Sequence, residues 1–214
     1  MKNIFKDAPP LYLISDRVIS NLSHRDIFRI GVSEGVRVIQ LREKEMTKRQ
    51  IYEEAKIIRE ITRDTRTIFI INDHVDIAYV VGADGVHLGQ DDLPLREARR
   101  ILGRDKIIGI STHTLREAID AERGGADYIG YGPIFHTTTK ETKRPMGIDS
   151  LKRVRESVNI PVVAIGGITI EDSREVMDAG ADAVAMISCI LRGDIRKNIR
   201  SFMTMSGERM SCYD

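Results

Sequence analysis

Five consecutive residues, Gln40-Leu41-Arg42-Glu43-Lys44, close a mostly apolar run that begins at Val36. The run reads as a short buried strand. Side chains alternate across a strand, so Gln40, Arg42 and Lys44 share one face and Leu41 and Glu43 the other. Two cations on a face that opens into a barrel mouth are costly without an anionic partner, and a ligand carrying phosphates supplies one. A strand running out into a solvated, charged turn accounts for the same letters. Three further apolar runs weigh against that plain reading, because they end in Asn72-Asp73, in Gly89-Gln90-Asp91-Asp92 and in Ser111-Thr112-His113. Packing alone requires none of these, and polar endings on four successive runs point to a shared site.

Asp73 belongs with Asp91 or Asp92. Two carboxylates facing one pocket repel unless a proton or a cation lies between them. Without a Cys/His set of zinc type, the cation to expect is a hard one such as magnesium. That ion takes one or two carboxylates and fills its other positions with phosphate oxygens and water. Capping of the next helix is the competing role for Asp73, and spacing does not choose between Asp91 and Asp92. Further on, Thr137-Thr138-Thr139-Lys140 gathers three hydroxyls and an ammonium, enough to wrap an oxyanion, although threonine-rich loops are often merely solvated. Gly166-Gly167 and Ile187-Ser188 close two later runs. Glycines there let backbone N–H groups approach a ligand, and the loops after strands seven and eight are a recurrent phosphate site in barrels. The histidines carry less. His87 lies in or beside a strand and reads as a packed core residue, while His74, His113 and His136 fall on loops and none is marked as a general base.

Such residues need a scaffold that brings many strand ends together. Short β-branched runs at Leu11–Ser15, Val36–Leu41, Thr67–Ile71, Gly85–Leu88, Lys106–Ile110, Asp127–Tyr131, Val162–Ile165 and Ala183–Met186 alternate with longer amphipathic stretches. Ser23 and Thr47 are placed to cap helices reaching Glu34 and about Asp64, and Pro94 to open one ending at Leu102. Later helices end near Val81 and Arg123, start from Asp149, and cover Glu171–Asp178 and Asp194–Met203. The triplet Gly-Ala-Asp recurs at Gly82, Gly125 and Gly180, each time with a helix-ending glycine ahead of a strand. Eight such units predict a single-domain (β/α)8 barrel, shorter than the usual ~250 residues. An open doubly wound sheet is the alternative, but its glycine-rich phosphate loop would follow the first strand.

Composition closes off other classes. The 214 residues suit one domain, with about Ser206 to Asp214 a candidate disordered tail, and 33 Lys and Arg against 32 Asp and Glu give no field for nucleic acid or an anionic membrane. Two cysteines, Cys189 and Cys212, make neither a CxxC motif nor a disulfide framework. The N-terminus lacks the apolar core of a signal peptide, and no apolar run approaches a membrane span, so a soluble cytoplasmic protein is expected.

Assembled in order, Gln40-Leu41-Arg42-Glu43-Lys44, Asn72-Asp73, Gly89-Gln90-Asp91-Asp92, Gly109-Ile110-Ser111, Thr137-Thr138-Thr139-Lys140, Gly166-Gly167 and Ile187-Ser188 resemble the thiamine phosphate synthase family over nearly the whole chain. His136 departs mildly, standing where that family usually has proline. The resemblance implies a TIM barrel that joins a pyrimidinylmethyl diphosphate to a thiazole phosphate and releases pyrophosphate. It implies a dissociative course through a pyrimidine-stabilised carbocation. By the same resemblance Gln40, Leu41, Arg42, Glu43, Lys44, Asn72, Ser111 and Lys140 hold the pyrimidine diphosphate, with Arg42, Ser111 and Lys140 catalytic. Asp73 and Asp92, rather than Asp91, bind Mg2+. Thr137, Thr138, Thr139, Gly167, Ile187 and Ser188 hold the thiazole phosphate. Two rivals stand beside this reading. A related barrel family isomerises the thiazole carboxylate phosphate without joining it to anything, and a non-catalytic phosphate-ligand sensor would not need both half-sites.

Overall fold

Aliphatic and β-branched residues fill each strand because every strand is covered on both sides. The computed structural model describes residues 4–5, 9–137 and 144–210. In order they form β1 (Leu11–Ser15), α1 (Arg17–Ser20), α2 (His24–Ser33), β2 (Val38–Leu41), α3 (Lys48–Thr62), β3 (Ile68–Asn72), α4 (Val75–Val81), β4 (Gly85–Leu88) and α5 (Leu95–Leu102). The second half is β5 (Ile107–Thr112), α6 (Leu115–Gly124), β6 (Tyr128–Tyr131), α7 (Ile148–Ser157), β7 (Val162–Ile165), α8 (Ser173–Asp178), β8 (Ala183–Met186), α9 (Ser188–Leu191) and α10 (Ile195–Met210). All eight strands pair in parallel with their sequence neighbours, and β8 closes on β1. The expected (β/α)8 barrel is the fold.

Two cores follow from the alternation of side chains. Outward residues such as Leu13, Ile39, Phe69 and Val86 pack with the helices in one continuous layer. Inward residues form a second cluster of Tyr12, Ile14, Val38, Ile70, Tyr128, Val163, Ala183 and Ala185, joined by Phe5 from the segment before β1. Local signals explain the helix starts. Ser23 Oγ accepts the Asp26 N–H at 3.2 Å, and Thr47 with Gln50 forms a reciprocal capping box.

Boundaries shift where neighbours override composition. β5 runs two residues past Ile110, so Ser111 and Thr112 are strand residues rather than loop. The four-residue helices α1 and α9 are too short to leave a period in the sequence. α10 continues beyond Met203 through Ser206 to Met210. No helix among the described residues is long and apolar enough to cross a membrane.

Candidate active site

At the floor of the mouth a chain of hydrogen bonds crosses the barrel interior. Gln40 Nε2 donates to Tyr12 Oη at 2.8 Å, and the Tyr12 and Tyr128 hydroxyls lie 2.7 Å apart. His87 Nδ1 meets Tyr128 Oη at 2.9 Å, and His87 Nε2 meets Ser111 Oγ at 2.9 Å. Five strands contribute, and two glycines make the room. A Cβ on Gly109 would overlap the Tyr128 phenol, and one on Gly130 would come within 3.1 Å of the His87 ring. Burial pushes both tyrosines above their ordinary range, so they are neutral hydroxyls. Gln90 Nε2 holds the Ser111 carbonyl at 2.6 Å.

Above this floor the β2, β3 and β4 ends carry the charge. Lys44 Nζ lies 2.5 Å from Asp73 Oδ2, and Arg42 reaches Asp16 at 3.5 Å. Asp73 follows Asn72, the last residue of β3, at a φ of 63°, in the left-handed region that aspartate tolerates better than most residues. It does not cap α4, whose N-cap is His74 with no side-chain bond. Asp92 accepts the Gly89 N–H at 2.6 Å and shares a hydrogen bond with Asp73. Burial alone would raise Asp73, but the Lys44 ammonium and the Asp92 bond outweigh it and hold Asp73 below the usual carboxylate range. Burial and the charge of Asp73 push Asp92 above that range, against the pull of the Gly89 N–H. Two carboxylates that burial and mutual charge drive apart in this way are the electrostatic condition under which a divalent cation fits. Asp91 takes no part in this pair.

Two members of the motif implied to hold the pyrimidine diphosphate, Leu41 and Glu43, keep their side chains buried. Leu41 is buried in the helix-side core. Glu43 turns the other way and accepts the N–H groups of Lys44 and Glu45 at 2.7 Å each and of Met46 at 3.4 Å. Arg17 at 2.9 Å and His24 at 3.2 Å complete its partners. β2 has ended by then, so alternation no longer places Arg42 and Lys44. The turn wound around the Glu43 carboxylate does.

Across the mouth, the loop after β6 is stitched to the end of β7. Ile134 N–H donates to Ile165 at 2.9 Å and Phe135 N–H to Gly166 at 2.9 Å. Gly167 has a φ of 69°, and a Cβ there would collide with the Phe135–His136 backbone. The glycine is therefore required by its own chain, not only by an approaching ligand. Thr137 ends this described segment, and Thr138, Thr139 and Lys140 lie outside the described residues. Ile187 precedes α9, which opens at Ser188 directly after β8, where phosphate-binding barrels often place a short extra helix. His113 Nδ1 donates to the Gly132 carbonyl at 2.6 Å and ties β5 to the same loop.

Fold and side chains together define a class: a (β/α)8 barrel with groups suited to anions on both sides of its C-terminal face, where such barrels carry their chemistry. Comparison with known proteins narrows this. Residues 11–190 match the thiamine monophosphate synthase family, and the chain belongs to it. A thiamine-phosphate synthase of Chloroflexus aurantiacus is 43% identical over 205 residues, covering 93% of this chain and 94% of that protein. One from Halalkalibacterium halodurans is 49% identical over 177 residues, covering 82% and 84%. The solved thiamine phosphate pyrophosphorylase of Pyrococcus furiosus superposes with a TM-score of 0.86 at 38% identity, over 96% of this chain and 97% of that one.

Proposed function

We propose that this chain is a transferase of thiamine biosynthesis that joins 4-amino-2-methyl-5-pyrimidinylmethyl diphosphate to thiazole phosphate and releases pyrophosphate. One observation carries the reading: Lys44 pairs with Asp73, which shares a hydrogen bond with Asp92, and Arg42 leaves the same strand end to meet Asp16, so cations and a carboxylate pair gather at the ends of β2, β3 and β4. On this reading the Gly167 and α9 elements anchor the second phosphorylated substrate, apart from the first.

The bond between the pyrimidinylmethyl carbon and the diphosphate oxygen breaks, and its electron pair leaves with pyrophosphate. The thiazole nitrogen then gives its lone pair to the carbon, so no general base is required. Negative charge grows on the departing oxygen, and groups preplaced around it stabilise the transition state more than the ground state. Arg42, whose fork holds two phosphate oxygens at once, and Lys44 do this from the β2 side. Lys140 adds a third cation by the family resemblance. Asp73 and Asp92 would hold Mg2+, which when bound neutralises diphosphate charge as a Lewis acid.

The decisive assay supplies both substrates and magnesium and looks for thiamine phosphate and pyrophosphate. A rearranged thiazole phosphate alone would make the chain an isomerase, and binding without turnover a sensor. Arg42→Met tests the two anchors: product formation should fall roughly 100-fold, with thiazole phosphate affinity within a few-fold of the parent. Equal loss of both ligands by calorimetry rejects separate anchors.

A further inference from the structure

The hydrogen-bond chain under the mouth has a direction. Tyr12 Oη has two partners, Gln40 Nε2 and Tyr128 Oη. An amide nitrogen only donates, and Tyr12 is buried, so its own proton goes to Tyr128 Oη. The Tyr128 proton then takes His87 Nδ1 as its acceptor. A nitrogen that accepts carries no proton, so the neutral ring holds its proton on Nε2, which donates to Ser111 Oγ. Ser111 is left with one proton, and it points away from His87. We infer that His87, backed by Tyr128 and Tyr12, is a positioning residue that turns Ser111 into a fixed hydrogen-bond donor toward the mouth.

The consequence is chemical. A donor hydroxyl fits a diphosphate oxygen that gains charge as pyrophosphate departs. The opposite polarity, starting from a flipped Gln40 amide, would make Ser111 give its proton to His87 and offer the substrate a lone pair. The buried chain thus sets the sign of a contact on β5 from Gln40 on β2, where its direction is decided. Gly109 and Gly130 show that the arrangement is built in: each lacks the side chain that would displace Tyr128 or crowd His87. The tautomer stands on the hydrogen bonds alone, while its effect on turnover rests on the proposed synthase reaction.

Long-range proton–nitrogen NMR on protein labelled with 15N-histidine reads the tautomer without any substrate. His87 should show a protonated Nε2 and a bare Nδ1. His113, whose Nδ1 donates to a carbonyl, should show the reverse and serve as an internal contrast. Replacing each of the other four histidines in turn assigns His87 by elimination. A protonated Nδ1 at His87, alone or in a mixture, overturns the proposal.

Turnover then tests the positioning role with two amides of equal polarity. In His87→Asn the amide reaches Tyr128 but not Ser111, and kcat should fall roughly 10- to 100-fold with KM for the pyrimidine diphosphate little changed. His87→Gln can place an N–H on Ser111 and should recover most of that loss. Equal kcat in the two variants overturns positioning. An inactive parent protein with the expected tautomer would instead count against the synthase reading.

Discussion

At the N-terminal end of the barrel, three αβ turns carry the same clasp. Asp84 accepts the Phe69 N–H at 2.8 Å and Arg59 at 3.0 Å. Asp127 does the same with Ile108 N–H at 2.8 Å and Arg99 at 2.5 Å, and Asp182 with Val162 N–H at 2.9 Å and Arg155 at 3.0 Å. In each case the aspartate leading into an even strand holds the preceding odd strand and the helix before it. At the C-terminal end, β2, β3, β4 and β5 finish on four different sets of polar residues. Similar Asp–cation pairs occur at both ends, so pairing itself does not mark function. Repetition marks the scaffold, because one packing problem recurs with each pair of units. Singularity marks the site, because a substrate is met only once.

Breaking the mouth should leave the clasped end standing. Asp73→Asn removes half of the carboxylate pair and the partner of Lys44, and should slow product formation by roughly 100-fold or more. Its thermal midpoint should stay within a few degrees of the parent, and excess chelator should silence the parent protein. Full turnover in chelator would remove the metal from this reading. Gly167→Val should do damage of both kinds, since the left-handed backbone and the Phe135–His136 collision strain the loop. A loss of about 2–4 kcal/mol in denaturant unfolding is expected, together with weakened thiazole phosphate binding.

Breaking a clasp should do the reverse. Asp127→Ala leaves the Ile108 N–H and Arg99 without their acceptor, and should lower stability by about 2 kcal/mol, with kcat within a few-fold of the parent. Because the Asp127 and Asp182 clasps hold different strands and different arginines, the double variant with Asp182→Ala should show nearly additive losses. Strong non-additivity would mean that the clasps act as one network.

The smallest expected effect concerns Glu43, a structural carboxylate on the functional face. Burial would raise its pKa, but the surrounding N–H groups, Arg17 and His24 outweigh this and hold it at about 2. A carboxylate depressed in the folded state contributes stability above its ordinary 4.5, and that contribution is lost as pH falls through about 2. Glu43→Gln should therefore flatten the stability profile in that window. The change is read from unfolding midpoints between pH 5 and 2, and a profile parallel to the parent would deny Glu43 this role.

The barrel was legible because eight apolar runs bounded by glycine and polar residues leave few other folds, and β1, β4, β7 and β8 end where their composition says. Gln40, Arg42, Lys44, Asp73 and the Asp91-Asp92 pair stood out as polar and charged groups that a plain strand end does not need, and only the family resemblance chose Asp92 over Asp91. The structural role of the Glu43 carboxylate was hidden by its place in a binding motif, although alternation had already turned it away from Gln40. Tyr12, Tyr128 and His87 were missed as functional candidates because aromatic residues inside strands look like packing. A signal was present in their register: His87 pairs with Gly109, and Gly109 pairs with Tyr128. Large polar rings beside strand glycines suggest an interior shaped for hydrogen bonds, but only three-dimensional pairing shows which ring fills which gap.

Phe5 gives the relay a further property. Its ring stands edge-on to Tyr128 at 6.0 Å and lies 6.4 Å from Tyr12. Phe5, itself buried, adds an apolar ring to the inward cluster. Water rising through the barrel floor would offer Tyr12 a second acceptor and let the protons of the chain rearrange. An apolar ring offers none, and the dry surroundings strengthen each bond above it. On the proposed direction of the chain, a residue outside every strand and helix would thus help to keep water from the hydroxyls that orient Ser111.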